Sequence, residues 1–254
     1  VPRLLDAGIS RISVSLDGAN AATHDTFRGI DGAFDAALGG LDAARWHGLP
    51  FQVNSTLTKL NIGELAAIHE LAVSLGAEAF HPFLLVPMGR GESIAATSLT
   101  PSEYEDALHE IADIADRSAI EIKPTCSPHY ARVIRERGDI DSRAGHTPGS
   151  GRHGVMTKGC LGGQGFAFVS HRGVVQMCGF LELPAGDLRE SGFDFRTIWE
   201  ESPLFNAVRD PGRYGGKCGR CSYIGVCGGC RARAYYVNGD FLAEEPHCAY
   251  IPPV

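Results

Sequence analysis

Seven of the eight cysteines in this 254-residue chain are spaced in a way that suits a metal centre. Four of them form the run Cys218-x2-Cys221-x5-Cys227-x2-Cys230. The other three are Cys160 and Cys178, before this run, and Cys248, after it. A Cys-x2-Cys turn allows two sulfurs to reach the same metal ion or cluster, and the run contains two such turns. The sequence therefore predicts thiolate-bound metal in the C-terminal part of the chain.

Three kinds of site compete for these cysteines. Disulfide bonds are disfavoured, because paired Cys-x2-Cys turns beside an α/β core suit metal or redox chemistry better. Zinc is a serious alternative, since two such turns can make a compact four-thiolate site. Iron-sulfur clusters use more thiolates over longer spans, which would also employ Cys160, Cys178 and Cys248. The spacing favours iron-sulfur and leaves zinc open.

The composition is that of an ordinary globular protein. Hydrophobic residues make up 44% of the chain and charged residues 21%, which suits one large domain or two. A formal charge of -7 argues against a general nucleic-acid binder. No apolar run approaches the roughly 20 residues that span a bilayer, so we expect no membrane span and a cytoplasmic location.

Strands and helices alternate through the first half of the chain. The periodicity predicts strands over 11–17, 51–57, 78–86 and 120–124, and helices over 32–47, 61–76 and 100–117. Asn61 and Glu64 suggest a capping pair, and Thr100 with Glu103 forms a capping-box pattern. This order predicts an α/β fold with a parallel sheet wound in right-handed crossovers.

Two of the predicted strands carry a polar face. Its members are Ser13, Ser15 and Asp17 on the first strand and Gln52, Asn54 and Thr56 on the second. Bulky apolar residues fill the interior of a closed eight-stranded barrel, so a polar face is expected to be wet or filled by a ligand. A sheet facing solvent is the alternative. Four strands cannot close a barrel, so further strands, another domain or an open face must complete it.

The charged, glycine-rich stretch 132–158 is predicted to link two parts of the chain. Beyond it, 165–170 and 174–178 are expected to form a hairpin, and 194–209 a helix. The remaining turns around the cysteines contain little apolar material. We therefore expect this second part to depend on its metal to fold.

The cysteine pattern as a whole resembles the SPASM extension of radical S-adenosylmethionine (SAM) enzymes, which houses auxiliary [4Fe-4S] clusters. The segments Ser15-Leu-Asp-Gly18 and His24-Asp-Thr-Phe-Arg28 are similar to a SAM-contacting strand and helix of these enzymes. The resemblance implies the later half of a partial (β/α)6 radical SAM barrel over 1–131, a linker over 132–158 and a SPASM domain over 159–254.

Within that superfamily, the chain is most similar to enzymes that modify sirohaem, such as 12,18-didecarboxysirohaem deacetylase and the radical SAM protein of haem d1 biosynthesis. The similarity lies in Gly159-Cys-Leu-Gly-Gly-Gln-Gly-Phe-Ala-Phe-Val-Ser-His-Arg-Gly173, Lys217-Cys-Gly-Arg-Cys221, Cys227-Gly-Gly-Cys-Arg-Ala-Arg-Ala-Tyr235 and Thr125-Cys-Ser-Pro-His-Tyr130. Peptide-modifying SPASM maturases share the cysteine frame and remain an alternative, as does a zinc-stabilised binding module without catalysis.

This resemblance implies that a radical derived from SAM removes an acetate or propionate fragment from an iron-tetrapyrrole in haem or haem d1 biosynthesis. A ferredoxin or flavodoxin would supply electrons. The Cys-x3-Cys-x2-Cys motif that holds the SAM-cleaving cluster in this superfamily does not occur between Val1 and Val254. We therefore interpret the chain as an N-terminally truncated piece that cannot cleave SAM by itself.

The resemblance also assigns candidate site residues. Those for SAM are Ser15, Asp17, Arg28 and, more weakly, Asn54. Those for catalysis are Cys126 and His129, which follow the fourth strand, near where barrel active sites gather. Those for iron are Cys218, Cys221, Cys227 and Cys248, a full set of four, and Cys160, Cys178 and Cys230, a set of three whose fourth ligand is open. Charges at Lys217, Arg220, Arg231 and Arg233 either offset a cluster, hold porphyrin carboxylates or are simply solvated.

Overall fold

The computed structural model describes residues 1–138 and 159–253. The strands are β1 (Ile12–Ser15), β2 (Phe51–Leu57), β3 (Ala79–Leu84), β4 (Glu121–Ile122), β5 (Phe168–Val169), β6 (Val174–Cys178) and β7 (Leu181–Asp187). The α-helices are α1 (Pro2–Asp6), α2 (Ala21–Arg28), α3 (Ala33–Trp46), α4 (Leu65–Leu75), α5 (Pro101–Arg117), α6 (Tyr130–Glu136), α7 (Phe195–Glu201), α8 (Pro203–Arg209), α9 (Gly216–Gly219) and α10 (Arg231–Asn238). Short 3-10 helices cover Ile62–Glu64, Gly89–Thr97 and Pro211–Arg213.

The first four strands form one parallel sheet in the order β1-β2-β3-β4, as the alternation of strands and helices predicts. In this register Ser15 pairs with Asn54, and Asn54 pairs with His81. Strand β2 alternates between buried residues, all apolar except Ser55, and half-buried polar residues. The polar face therefore runs across neighbouring strands on one side of the sheet.

Helices cover the other side of this sheet and form the first hydrophobic core. Helix α5 supplies much of it, with Leu108 and Ile111 fully buried. The predicted capping box starts this helix: Thr100 accepts a hydrogen bond from the Glu103 amide, and the Glu103 carboxylate accepts one from the Thr100 amide. This satisfies two backbone donors that a helix start leaves free.

The predicted capping pair at Asn61 and Glu64 was wrong. Asn61 makes no cap; its side chain accepts a hydrogen bond from the Thr58 amide and donates one to the carbonyl of Asp17. Glu64 accepts a hydrogen bond of 2.8 Å from the Ala19 amide. These contacts hold the turn after β1 against the turn after β2, which local sequence spacing does not reveal.

A second core lies beneath the antiparallel sheet β5-β6-β7 and includes Val175, Met177, Leu181 and Phe205. The predicted hairpin corresponds to β5 and β6, whereas β7 was not predicted. The single helix expected over 194–209 is two helices, α7 and α8. Pro203 begins the second one, because proline cannot continue a helix from within.

The predicted linker overlaps a helix at its start. Helix α6 continues to Glu136, and its Val133 and Ile134 are buried in the first core. Arg132 on this helix is buried and pairs with Glu105 and Glu136. The rest of the linker prediction, from 139 to 158, lies outside the described residues, so the domain boundary stays a prediction. Within the described ranges, no helix combines the length and apolarity needed to cross a membrane.

Candidate functional site

An open cavity of about 540 Å³ lies where the parallel strands end. Three of the candidate SAM-binding residues, Ser15, Arg28 and Asn54, line it, and so does Cys126. Apolar side chains from several elements complete much of its wall, namely Phe27, Phe83, Leu84, Leu85, Val86, Met88, Ile94 and Phe180. Polar groups at the strand ends and apolar walls are typical of a binding site for an organic ligand.

Asp17 does not line this cavity. It is completely buried, and its carboxylate forms an ion pair with Arg28 and accepts a hydrogen bond of 2.6 Å from the Thr56 amide. Burial raises the pKa of Asp17, while the charge of Arg28 opposes that rise. Asp17 therefore positions Arg28 at the cavity wall, and we expect its contact with any cofactor to be indirect.

A hydrogen bond from Gln52, on the same strand, holds the Asn54 side chain in place. The Gln52 side chain donates a hydrogen bond of 2.9 Å to Asn54 Oδ1, and its nitrogen lies 3.1 Å from His81 Nδ1. Burial, together with the charges of Lys123 and Arg11, lowers the pKa of His81 to about 4. The imidazole is consequently neutral near pH 7 and can accept from Gln52.

The first cysteine set consists of Cys218, Cys221, Cys227 and Cys248, and all four line one small cavity. Backbone amides already point at these sulfurs. The Glu245 amide donates to Cys218 Sγ at 3.3 Å, and the Gly229 amide donates to Cys227 Sγ at 3.4 Å. The fold thus brings together the four thiols that the resemblance assigns to one set.

A fourth thiol, that of Cys126, lies near the three cysteines of the second set. Cys160, Cys178 and Cys230 lie within electrostatic reach of one another, and the Cys126 thiol lies within reach of all three. Burial, with the neighbouring thiols adding to it, raises the pKa of Cys126 well above its usual range and that of Cys178 to about 12. Cys126, predicted as a catalytic residue, therefore lies beside the set of three.

Cys126 also has an unusual backbone. Its φ of 56° lies in the left-handed region, which residues other than glycine rarely adopt. Its carbonyl accepts hydrogen bonds from Arg233 Nη2 at 2.8 Å and from the Tyr104 hydroxyl at 3.1 Å. These two buried donors hold the residue so that its side chain meets both the large cavity and the second cysteine set.

His129 is not near the large cavity; it lines the cavity of the first cysteine set. The imidazole is 1% exposed, packs edge-on against Tyr104 and lies 4.0 Å from Glu245 Oε2. Burial lowers its pKa to about 4, against the opposing effect of Glu245. The two residues predicted together as catalytic are thus divided between different sites.

Three buried charges were missed or undervalued from the sequence. Arg231 and Arg233, for which solvated surface charge was the default interpretation, are 1% and 0% exposed, and Glu245 is 0% exposed. The Arg-x-Arg pattern directly after Cys230 could have indicated buried arginines, because the first residues of a short helix that follows a buried cysteine have little access to solvent. Nothing in the sequence around Glu245 marks it.

The cysteines of the first set line a shared cavity without converging on a point. Among the described residues, no three His, Cys, Asp or Glu side chains come together closely enough for one metal ion. The donor sets consist of thiols, which suit iron-sulfur clusters, and Lys217 and Arg132 add positive charge beside Cys248.

Comparison with curated proteins identifies relatives over nearly the whole chain, although no protein-family model matches. The AdoMet-dependent heme synthase of Methanosarcina barkeri is 48% identical over 254 residues, which cover 99% of this chain and 71% of the relative. That of Nitratidesulfovibrio vulgaris is 44% identical, covering 98% of this chain and 67% of the relative. The Pre-heme d1 synthase of Dinoroseobacter shibae is 27% identical, covering 97% and 63%.

Solved structures show the same fold at low sequence identity. Streptococcus suis SuiB bound to S-adenosylmethionine has a TM-score of 0.64 at 13% identity, covering 94% of this chain and 54% of SuiB. The protein anSMEcpe with bound AdoMet has a TM-score of 0.56 at 15% identity, covering 91% and 61%. The predicted fold, the later half of a partial barrel followed by a SPASM domain, is confirmed. Enzymes of this kind bind [4Fe-4S] clusters and AdoMet, which is SAM. The chain therefore belongs to the AdoMet-dependent heme synthase family, radical SAM enzymes of haem biosynthesis.

Proposed function

We propose that this chain forms the substrate-binding and auxiliary-cluster part of an enzyme that produces haem by removing carboxylate-bearing side-chain fragments from an iron-tetrapyrrole. The names of its relatives support the product, since those most similar are heme synthases. The observation that carries the proposal is the position of Cys126. Cys126 lies beside the three thiols of the second cysteine set and also lines the cavity that Ser15, Arg28 and Asn54 line.

Ser15, Arg28 and Asn54 bind SAM in this proposal. Ser15 at the end of β1 pairs with Asn54 on β2, Arg28 ends the helix that follows β1, and all three line the cavity. Asp17 holds the Arg28 guanidinium in place from the buried side. Apolar residues such as Phe83 and Phe180 suit the flat face of a tetrapyrrole, and the exposed Arg90 at the cavity wall suits its carboxylates.

The two cysteine sets each hold a [4Fe-4S] cluster in this proposal. When bound, such a cluster supplies single-electron transfer. Cys126 completes the second set, which otherwise has three thiols, and places it next to the substrate. Because burial raises the pKa of Cys230 and Cys248 to about 11, these thiols are protonated in the metal-free chain, and cluster assembly must release their protons.

Three further parts of the proposal concern the protein's setting. A ferredoxin or flavodoxin supplies electrons, the location is cytoplasmic, and nucleic acid is not a partner. SAM cleavage requires a cluster on sequence that this chain does not include, so the chain alone forms no 5′-deoxyadenosine.

The test is a binding comparison with the anaerobically reconstituted full-length protein. An iron-coproporphyrin should bind and shift its own absorption spectrum, and adding SAM and dithionite should then yield haem and 5′-deoxyadenosine. A cysteine-containing peptide should neither bind nor be modified. Modification of the peptide without turnover of the tetrapyrrole would replace this proposal with a peptide maturase.

A further inference from the structure

Helix α10 carries two buried arginines, Arg231 and Arg233, directly after Cys230. A buried guanidinium is costly unless its charge and its N–H donors are used. Residues two positions apart on an α-helix point about 200° apart around its axis. The two guanidinium groups therefore leave the helix on nearly opposite sides and meet different surroundings.

Arg231 faces the first cysteine set. Its Nη2 lies 3.8 Å from Cys218 Sγ, and its Nη1 donates to the carbonyls of Phe241 and Ala243 at 3.0 and 2.7 Å. The guanidinium also stacks 4.6 Å from the centre of the Tyr214 ring. Within the described residues, its polar partners are carbonyls and a thiol, so no carboxylate cancels its charge.

Arg233 faces the second cysteine set. Its Nη2 donates to the Cys126 carbonyl at 2.8 Å, and its other donors bind the carbonyls of Leu84 and Leu85 at the end of β3. Its positive charge also acts on the Cys126 and Cys230 thiols. Thus Arg233 reaches two proposed ligands of one cluster and the wall of the large cavity.

Glu245 lies between the two sets. Its carboxylate accepts from Arg233 Nη1 at 3.1 Å and from the Cys230 amide at 2.7 Å, while its own amide donates to Cys218. The carboxylate is completely buried and forms an ion pair with the Arg233 guanidinium. Glu245 is therefore a fixed negative charge close to both sets.

We propose that Arg231 and Arg233 each raise the reduction potential of a different cluster: Arg231 that of the cluster in the first cysteine set, Arg233 that of the cluster in the second. This inference rests on the two-cluster assignment in the proposed function. Reduction adds one electron to a cluster and breaks no bond, so a fixed positive charge nearby stabilises the reduced form. Burial strengthens the effect, because water screens these charges little. Glu245 lowers both potentials.

The experiment is a reductive titration of the anaerobically reconstituted chain with dithionite, followed by electron paramagnetic resonance. Cys221→Ser and Cys126→Ser first assign the two signals, because each removes a ligand from one set. Arg231→Gln should then shift the potential of the first cluster to more negative values and leave the second in place. Arg233→Gln should shift the potential of the second cluster to more negative values and leave the first in place. Arg231→Lys and Arg233→Lys should each recover part of the corresponding shift.

Glu245→Gln keeps the inference testable if Arg233→Gln does not fold, since it preserves side-chain size and removes the negative charge. It should move both potentials to more positive values. If two clusters form and neither potential changes in these variants, this inference is wrong but the two-cluster assignment stands. The same holds if both potentials shift in each arginine variant. A single cluster in the parent chain would overturn it together with the two-cluster assignment.

Discussion

Arg233 Nη2 donates a hydrogen bond of 2.8 Å to the carbonyl of Cys126, a residue 107 positions earlier in the chain. The same guanidinium binds the end of β3 and pairs with Glu245. One buried side chain of the SPASM part therefore holds the strand ends of the barrel part and the backbone of a proposed cluster ligand. This contact holds Cys126 between the second cysteine set and the large cavity.

Cys126→Ser should lower the iron content of the reconstituted chain from about eight to about four atoms per chain, because one [4Fe-4S] cluster loses a thiolate ligand. Iron and sulfide analysis measures this directly. Cys221→Ser is the matched control: it should lose the same amount of iron but keep the signal of the other cluster. Full iron content in Cys126→Ser would contradict a ligand role.

Asp17→Asn should weaken SAM binding by the full-length protein about tenfold, a loss of about 1.4 kcal/mol, because Arg28 loses its charged partner. The free energy of unfolding should also fall by about 1–3 kcal/mol, since a buried charged hydrogen-bond network is broken. Asp42→Asn breaks an exposed pair with Arg45 and should change neither quantity measurably. Calorimetric titration with SAM checks the first effect, and unchanged affinity in Asp17→Asn would refute it.

Thr100→Ala should lower the free energy of unfolding by about 1 kcal/mol, because the capping box at the start of α5 is lost. Ser102→Ala, in the same turn but outside the cap, should cost less than about 0.5 kcal/mol. Urea denaturation of both variants measures the difference. Equal midpoints for the two would show that the cap contributes nothing.

His81 should make the fold sensitive to acid. Burial, with Lys123 and Arg11, lowers its pKa from 6.5 to about 4 in the folded chain. The unfolded chain therefore takes up a proton first, so a contribution to stability present above pH 6.5 is lost as the pH falls towards 4. His81→Gln should lose less stability between pH 7 and pH 5 than the parent, as measured by urea midpoints. An identical loss in both would refute the prediction.

Local patterns predicted the barrel part well. The alternation in β2, the capping box at Thr100 and the order of strands and helices all depend on residues near each other in sequence. The failures occurred where a distant partner decides the outcome. Asn61 is a residue type that often caps helices, yet its side chain binds the Asp17 carbonyl. The spacing of apolar residues predicted one helix over 194–209, whereas Pro203 begins a second helix there.

The site residues divide in the same way. Short spacing predicted that Cys218, Cys221 and Cys227 share a site, because a turn of two intervening residues confines neighbouring sulfurs. Ser15 and Asn54 were placed on one polar face by their alternation along parallel strands, and the register of β1 and β2 confirms that they are neighbours. Sequence alone therefore determined the class of fold and, through the resemblance, predicted thiols as the donor groups and the four members of the first cysteine set.

Only the tertiary structure decided the rest. It separated His129 from Cys126, brought Cys126 beside Cys230, and buried Arg233 against Glu245. Each of these outcomes depends on which remote segments pack together, and the burial of a charge depends on partners that no local pattern specifies. The cysteine spacing identified the chemistry of the site, and the packing of helix α10 against the strand ends determined where that chemistry meets the cavity.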